Sequence, residues 1–155
     1  MTGTVSSPIT GATVTGLTSP TYTLTADTAP TALGKQYAVT ALGGTQTGVL
    51  SHSVSSPFTI NTVRPAAYKV TPLPNPTTGV LRNNPKNSFS TLTRKGVLPL
   101  AGQASELMTI KTIIEIPAGA DTADPLSVKA AISAHFGAVW ASANNIADLV
   151  ITGVL

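Results

Sequence analysis

Two histidines, six carboxylates and nine basic side chains are the ionisable groups through which this chain of 155 residues could do acid–base or ionic chemistry. It has no cysteine, which removes thiolate catalysis, disulfides and cysteine-bound metal at once. His52 lies in the serine-rich stretch LSHSVSS, but no GxSxG turn accompanies it, so it reads as a loop histidine. His135 is far off in the chain and no HExxH spacing joins the two, which leaves zinc without a ligand set. It reads instead as a packing residue beside an apolar helix stripe. Asp121 and Asp124 precede Pro125 and read as turn and helix-capping residues. Gly34-Lys35 and Gly43-Gly44 lack the spacing of a phosphate loop. These residues predict no enzyme, no cofactor and no metal centre.

The basic side chains are another matter. Every charged residue from Thr28 to Ser105 is positive: Lys35, Arg64, Lys69, Arg82, Lys86, Arg94 and Lys95. Lysine and arginine bind phosphates and release counterions, so such sorting of signs predicts a surface that attracts a polyanion. A row of lysines on strands that only resists edge-to-edge aggregation would look the same from charge alone. The net charge is +3 and the isoelectric point about 9.5. Charged residues make up 10% of the chain, against roughly 25% in an average domain. With threonine, serine, alanine and glycine in excess, few groups remain to keep a monomer's surface wet, and burial against other copies of the chain is expected. The opening MTGTVSSPITGATVTG lacks the basic and apolar regions of a signal peptide, and no run reaches the ~18 apolar residues of a membrane span.

The elements that must position these groups are mostly strands. Residues 1–65 read as short strands over 12–17, 21–26, 36–42 and 58–63, punctuated by Ser19-Pro20, Ala29-Pro30, Gly43-Gly44 and Ser56-Pro57. Residues 66–73, AAYKVTPL, alternate as a strand does, with Lys69 and Thr71 on one side. Residues 75–87 form a long loop. Residues 88–98 read as a strand of ambiguous facing, because Phe89 favours one face and Leu92 the other. The clearest strand is 107–116: Met108, Ile110, Thr112, Ile114 and Ile116 make its core face, while Leu107, Thr109, Lys111, Ile113 and Glu115 lie opposite. Asp124-Pro125 then opens a helix to about Ser142, striped by Val128, Ile132, Phe136, Val139 and Trp140. Asn144-Asn145 is expected to break it before a short apolar segment, 146–151. The order predicts one α+β domain: an N-terminal hairpin and first strands (1–65), central strands (66–117) and C-terminal helices (124–155), with about five antiparallel strands.

At this point the sequence resembles the coat proteins of single-stranded RNA bacteriophages, the levivirus group. The likeness is carried by AYKVT (67–71), NSFSTLTRKGVLPLAGQ (87–103), ELMTIKTIIEIP (106–117), DPLSVKAAISAHFGAVW (124–140) and NNIADLV (144–150). The resemblance implies an intertwined homodimer in which two helices of each subunit cross the partner's sheet. Dimers would assemble into an icosahedral shell, made in the bacterial cytoplasm, that packages single-stranded RNA. An RNA hairpin bound on the sheet would also let the protein repress translation. No membrane or small-molecule partner is implied.

Carried onto this sequence, the resemblance puts Lys69, Thr71, Thr109 and Lys111 at RNA-facing positions. Thr91, Thr93 and Lys95 join them if Phe89 is a local exception; Ser90 and Arg94 join them if it is not. Ile132, Phe136, Val139 and Trp140 would anchor the dimer, and the loop containing Gly96, Pro99 and Gly102 would meet neighbouring dimers. Two other classes fit parts of the chain. A secreted bacterial β-rich adhesin or pilus-like subunit shares the low charge and abundant threonine, against the missing signal peptide. A small RNA-binding regulator that never assembles shares the basic window.

Overall fold

The computed structural model describes residues 4–155. Six strands form one antiparallel sheet in strict chain order: β1 (Ile9–Thr10), β2 (Thr18–Asp27), β3 (Gly34–Thr45), β4 (Phe58–Val63), β5 (Lys86–Val97) and β6 (Glu106–Pro117). Three helices follow: α1 (Ala120–Ala123), α2 (Pro125–Ala141) and α3 (Ala143–Thr152). This is the expected α+β arrangement. Valine, isoleucine and threonine make up most of β4 and half of β6, the residue types that fit a pleated, half-buried surface. Asp124 caps α2 by accepting a hydrogen bond from the Ser127 N–H at 3.3 Å, and Pro125 occupies the first helical position, where its missing N–H costs nothing.

Three expectations are corrected. Residues 12–17 form no strand; Val14 to Leu17 is a turn closed by the Leu17 N–H on the Val14 carbonyl. Residues 66–73 form no strand either. Pro65, Pro72 and Pro74 cannot donate to a ladder, and Asn87 takes its place: it accepts from the Lys69 N–H at 2.8 Å and donates to the Lys69 carbonyl at 3.0 Å. Finally, the helical break falls at Ser142, not at Asn144-Asn145. Asn144 lies inside α3, where its side-chain oxygen accepts from both the backbone N–H and the hydroxyl of Thr15.

The register sorts the sheet into two faces. Ile114, Thr112, Ile110 and Met108 of β6 stand opposite Phe89, Thr91, Thr93 and Lys95 of β5, which continue through Phe58 and Ile60 to Tyr37. This side looks toward α2, whose Ala131, Ile132, His135 and Phe136 meet Thr112 to Ile114 across a cleft of about 180 Å³. Beyond that cleft α2 and α3 run free of their own sheet, and no residue of any helix is buried. The apolar side chains buried among the described residues are few: Pro20, Leu24, Ala38, Val39 and Ala118.

Candidate nucleic-acid interface

The second face carries the side chains that alternate away from the helices. On β6 these are Leu107, Thr109, Lys111, Ile113 and Glu115; on β5, Lys86, Ser88, Ser90, Leu92 and Arg94; on β4, Thr59, Asn61 and Val63. Thr109 stands directly opposite Arg94, and Lys111 opposite Leu92, so the two cations are diagonal neighbours on adjacent strands. Lys86 is partly neutralised by Glu115 at 3.8 Å, the one ion pair among the described residues. Arg94 and Lys111 have no carboxylate beside them. Hydroxyls and amides surround the pair: Thr59 and Asn61 are buried between strands, and Thr25 and Thr40 share a hydrogen bond of 2.9 Å farther across the sheet. At the far margin Gln36 donates to Asp27 at 2.6 Å and the Thr28 N–H adds a second bond, which together hold the Asp27 carboxyl below the usual aspartate range. Two unpaired cations amid hydroxyl groups suit phosphates and ribose, without a metal or a nucleophile.

No family model and no curated protein matches this chain. Among solved structures it is similar to the subunit described as "Virus-like particle of bacteriophage ESE020", with a TM-score of 0.95 and 53% identity over 98% of this chain and 99% of that one. The chain belongs to this bacteriophage coat-protein family.

The adhesin reading falls with that membership. Within the coat-protein fold the expected RNA-facing residues separate. Thr109, Lys111 and Arg94 come together on the face away from the helices. Thr91, Thr93 and Lys95 do not: pairing with Thr112, Ile110 and Met108 turns them to the helix side with Phe89. Phe89 is thus no exception; the Tyr68 ring packs against it at 6.0 Å. Lys95 is held there. Its ammonium donates to the Leu50 carbonyl at 2.8 Å and lies 4.9 Å from the Phe58 ring centre, and burial lowers its pKa. Lys69 and Thr71 sit in the long β4–β5 connection, not on a central strand. Thr71 donates to the Ala118 carbonyl at 2.8 Å, so its hydroxyl is spent on fixing that connection.

The basic window is therefore not one surface. Only Lys86 and Arg94 of its seven members join the polar face, and Lys111, beyond the window, completes it. Ser90 joins it with Arg94, as one of the two expected alternatives, while Thr59 and Asn61 were passed over by sequence reasoning. The alternation of FTINTV at 58–63 is the signal for both, since Phe58 and Ile60 must point opposite to Thr59 and Asn61.

The other expected residues fall as follows. Ile132 is half-buried, while Phe136, Val139 and Trp140 are exposed on α2, uncovered by their own chain. Pro99 and Gly102 lie on the exposed β5–β6 loop. Gly96 does not: it is buried at the end of β5, where a Cβ would come 2.7 Å from the Ser56 hydroxyl. His52 accepts the Phe58 N–H on Nδ1 at 3.0 Å, a structural bond, and His135 rests edge-on against Phe136.

Proposed function

We propose that this protein is the coat subunit of a single-stranded RNA bacteriophage of the levivirus group, and that copies of it close into an icosahedral shell. The observation that carries the reading is the 53% identity, across nearly the whole of both chains, to a phage virus-like particle subunit. The uncovered helices support it. Phe136, Val139 and Trp140 lack a partner within their own chain, and the apolar helix side of β5 and β6 is the surface that such a stripe on a second copy would cover. The free edge of β6, twelve residues long, offers the same copy a strand to pair with, joining two sheets into one.

In that arrangement the helices lie outward and Arg94, Thr109 and Lys111 line the interior, where the two cations neutralise packaged RNA. Ser90 and Thr109 add hydroxyl contacts. The same face, doubled across a pair of subunits, takes an RNA hairpin and so represses translation of a phage message. Assembly takes place in the bacterial cytoplasm, and the finished protein resides in the virion.

The test is expression of the full chain alone in bacteria, followed by size-exclusion chromatography, electron microscopy and nuclease digestion. Closed particles holding nuclease-protected RNA are expected. A stable monomer at micromolar concentration would end the proposal, and a dimer that binds RNA but never assembles would reduce it to a small RNA-binding regulator.

A further inference from the structure

Two members of the basic window, Lys35 and Arg64, stand on the other side of the sheet from Arg94 and Lys111. Lys35 pairs with Thr62, which alternates with Ile60 and Phe58 on the helix side. The Arg64 N–H donates to the Leu33 carbonyl at 3.2 Å, one rung beyond the last pair of β3 and β4, Gly34 with Val63. Lys35 and Arg64 are therefore diagonal neighbours whose side chains leave the same face. Both are exposed, and neither has a carboxylate in reach, since the one ion pair among the described residues joins Lys86 to Glu115.

Two aromatic rings lie beside these cations. Phe89 of β5 is half-buried on the same side; Tyr68 packs on it with 6.0 Å between ring centres and stays 56% exposed. The place of Tyr68 is imposed through its neighbour. The buried Asn87 bonds both backbone groups of Lys69 and so pins the connection after Pro65 against the start of β5. Rings and cations together line an open cleft of about 390 Å³, with Leu33 as a further apolar wall and no carboxylate among its described residues.

We propose that this cleft binds a nucleotide, its base stacked on Tyr68 and its phosphate held between Lys35 and Arg64. The volume lies near the lower end of the range for small-ligand sites, which suits one base, sugar and phosphate and excludes the paired chains of a lipid. An exposed ring gains by stacking a base, whatever the base. Arginine grips a phosphate as a planar fork and lysine as a point charge. A bare inorganic anion would use the cations and leave the rings and Leu33 uncovered. The site is separate from the polar face, because the sheet itself lies between them. Free nucleotides and unpaired nucleotides of an RNA strand share this chemistry, and the test separates them.

The full-length protein, in the assembly it forms when purified, is dialysed to equilibrium against labelled AMP. Saturable binding of about one AMP per subunit is expected, weakened about tenfold or more in each of Lys35→Gln, Arg64→Gln and Tyr68→Ala. Inorganic phosphate and adenosine should each compete at least about tenfold less well than AMP. The three replaced side chains are exposed, so each variant should sediment as wild type does. A short single-stranded RNA is then tested as competitor in Arg94→Gln/Lys111→Gln protein, whose polar face has lost its cations. Displacement of AMP by less RNA than unlabelled AMP assigns the cleft to a nucleotide within a strand; displacement by no less assigns it to a free nucleotide. Absence of saturable AMP binding overturns the proposal, as does binding that all three single variants leave unchanged. Inorganic phosphate competing as well as AMP also overturns it, since the rings then recognise no base.

Discussion

Replacing Arg94 by glutamine should flatten the salt dependence of RNA binding, while replacing Lys95 by glutamine should leave it unchanged. The two residues are adjacent in sequence and identical in charge, yet the register turns Arg94 toward Thr109 and Lys95 toward Met108, on opposite faces. For single strands the logarithm of the affinity falls with the logarithm of salt at a slope of about −0.7 per phosphate neutralised. Arg94 and Lys111 give a pair of subunits four unpaired cations on the polar face, hence a slope of about −2.8 if each meets one phosphate. Between 50 and 200 mM salt the wild-type affinity would then fall about 50-fold. With Arg94 gone from both subunits the slope is about −1.4 and the fall about sevenfold. Filter binding of a short single-stranded RNA to unassembled dimers, over a salt series, reads this directly. A wild-type slope in Arg94→Gln with a flattened one in Lys95→Gln would refute the facing of β5, and with it the assignment of the interior.

Two further outcomes are expected. Asp27 has a lowered pKa because its folded carboxylate accepts bonds from Gln36 and the Thr28 N–H; its contribution is therefore fully present above its ordinary pKa of 3.8 and is lost as pH falls through the lower folded value. An acid titration of stability should show a shallower loss below about pH 4 for Asp27→Asn than for wild type. Trp140→Ser should weaken pairing by about 3 kcal/mol per side chain that loses its cover, a change of more than a hundredfold in the dimer dissociation constant, measured by analytical ultracentrifugation. An unchanged constant would show that α2 does not lie at the pair contact.

Much of the fold is legible because some segments allow only one reading. LMTIKTIIEI alternates strictly, and Asp124-Pro125 fixes the start of α2 to the residue. The facing of β5 is illegible for a physical reason: threonine is tolerated on both sides of a sheet, so STLTRK places a hydroxyl wherever it is turned, and only the pairing with β6 decides. The 66–73 error has a different origin. AAYKVT has the alternation of a strand, but whether its backbone groups find another strand or a single asparagine 18 residues on is settled by tertiary contact. The grouping of the expected site residues was only partly legible for the same reasons: the alternation of β6 puts Thr109 and Lys111 on one face, the pairing with β6 adds Arg94 to it and turns Thr91, Thr93 and Lys95 away, and Lys69 and Thr71 lie in the β4–β5 connection.

The division of labour between the faces also explains the composition. The few apolar residues buried among the described ones cannot support a domain of this length, since burying a large apolar side chain stabilises by about 1.5–3 kcal/mol and backbone ordering costs about 1–2 kcal/mol for every residue. The missing burial is present in the sequence but faces outward: Ile110, Phe136, Val139, Trp140 and Ile151 are all exposed in the single chain. In the proposed pair, folding and pairing would be one reaction, and stability would depend on subunit concentration. A chain in this position gains little from surface charge, because most of its surface is destined for contact with copies of itself. Cations are worth keeping where no copy will sit. Arg94 and Lys111 remain on the broad face turned away from the helices, where the proposed packaging of RNA would bring them a polyanion instead of a neighbour.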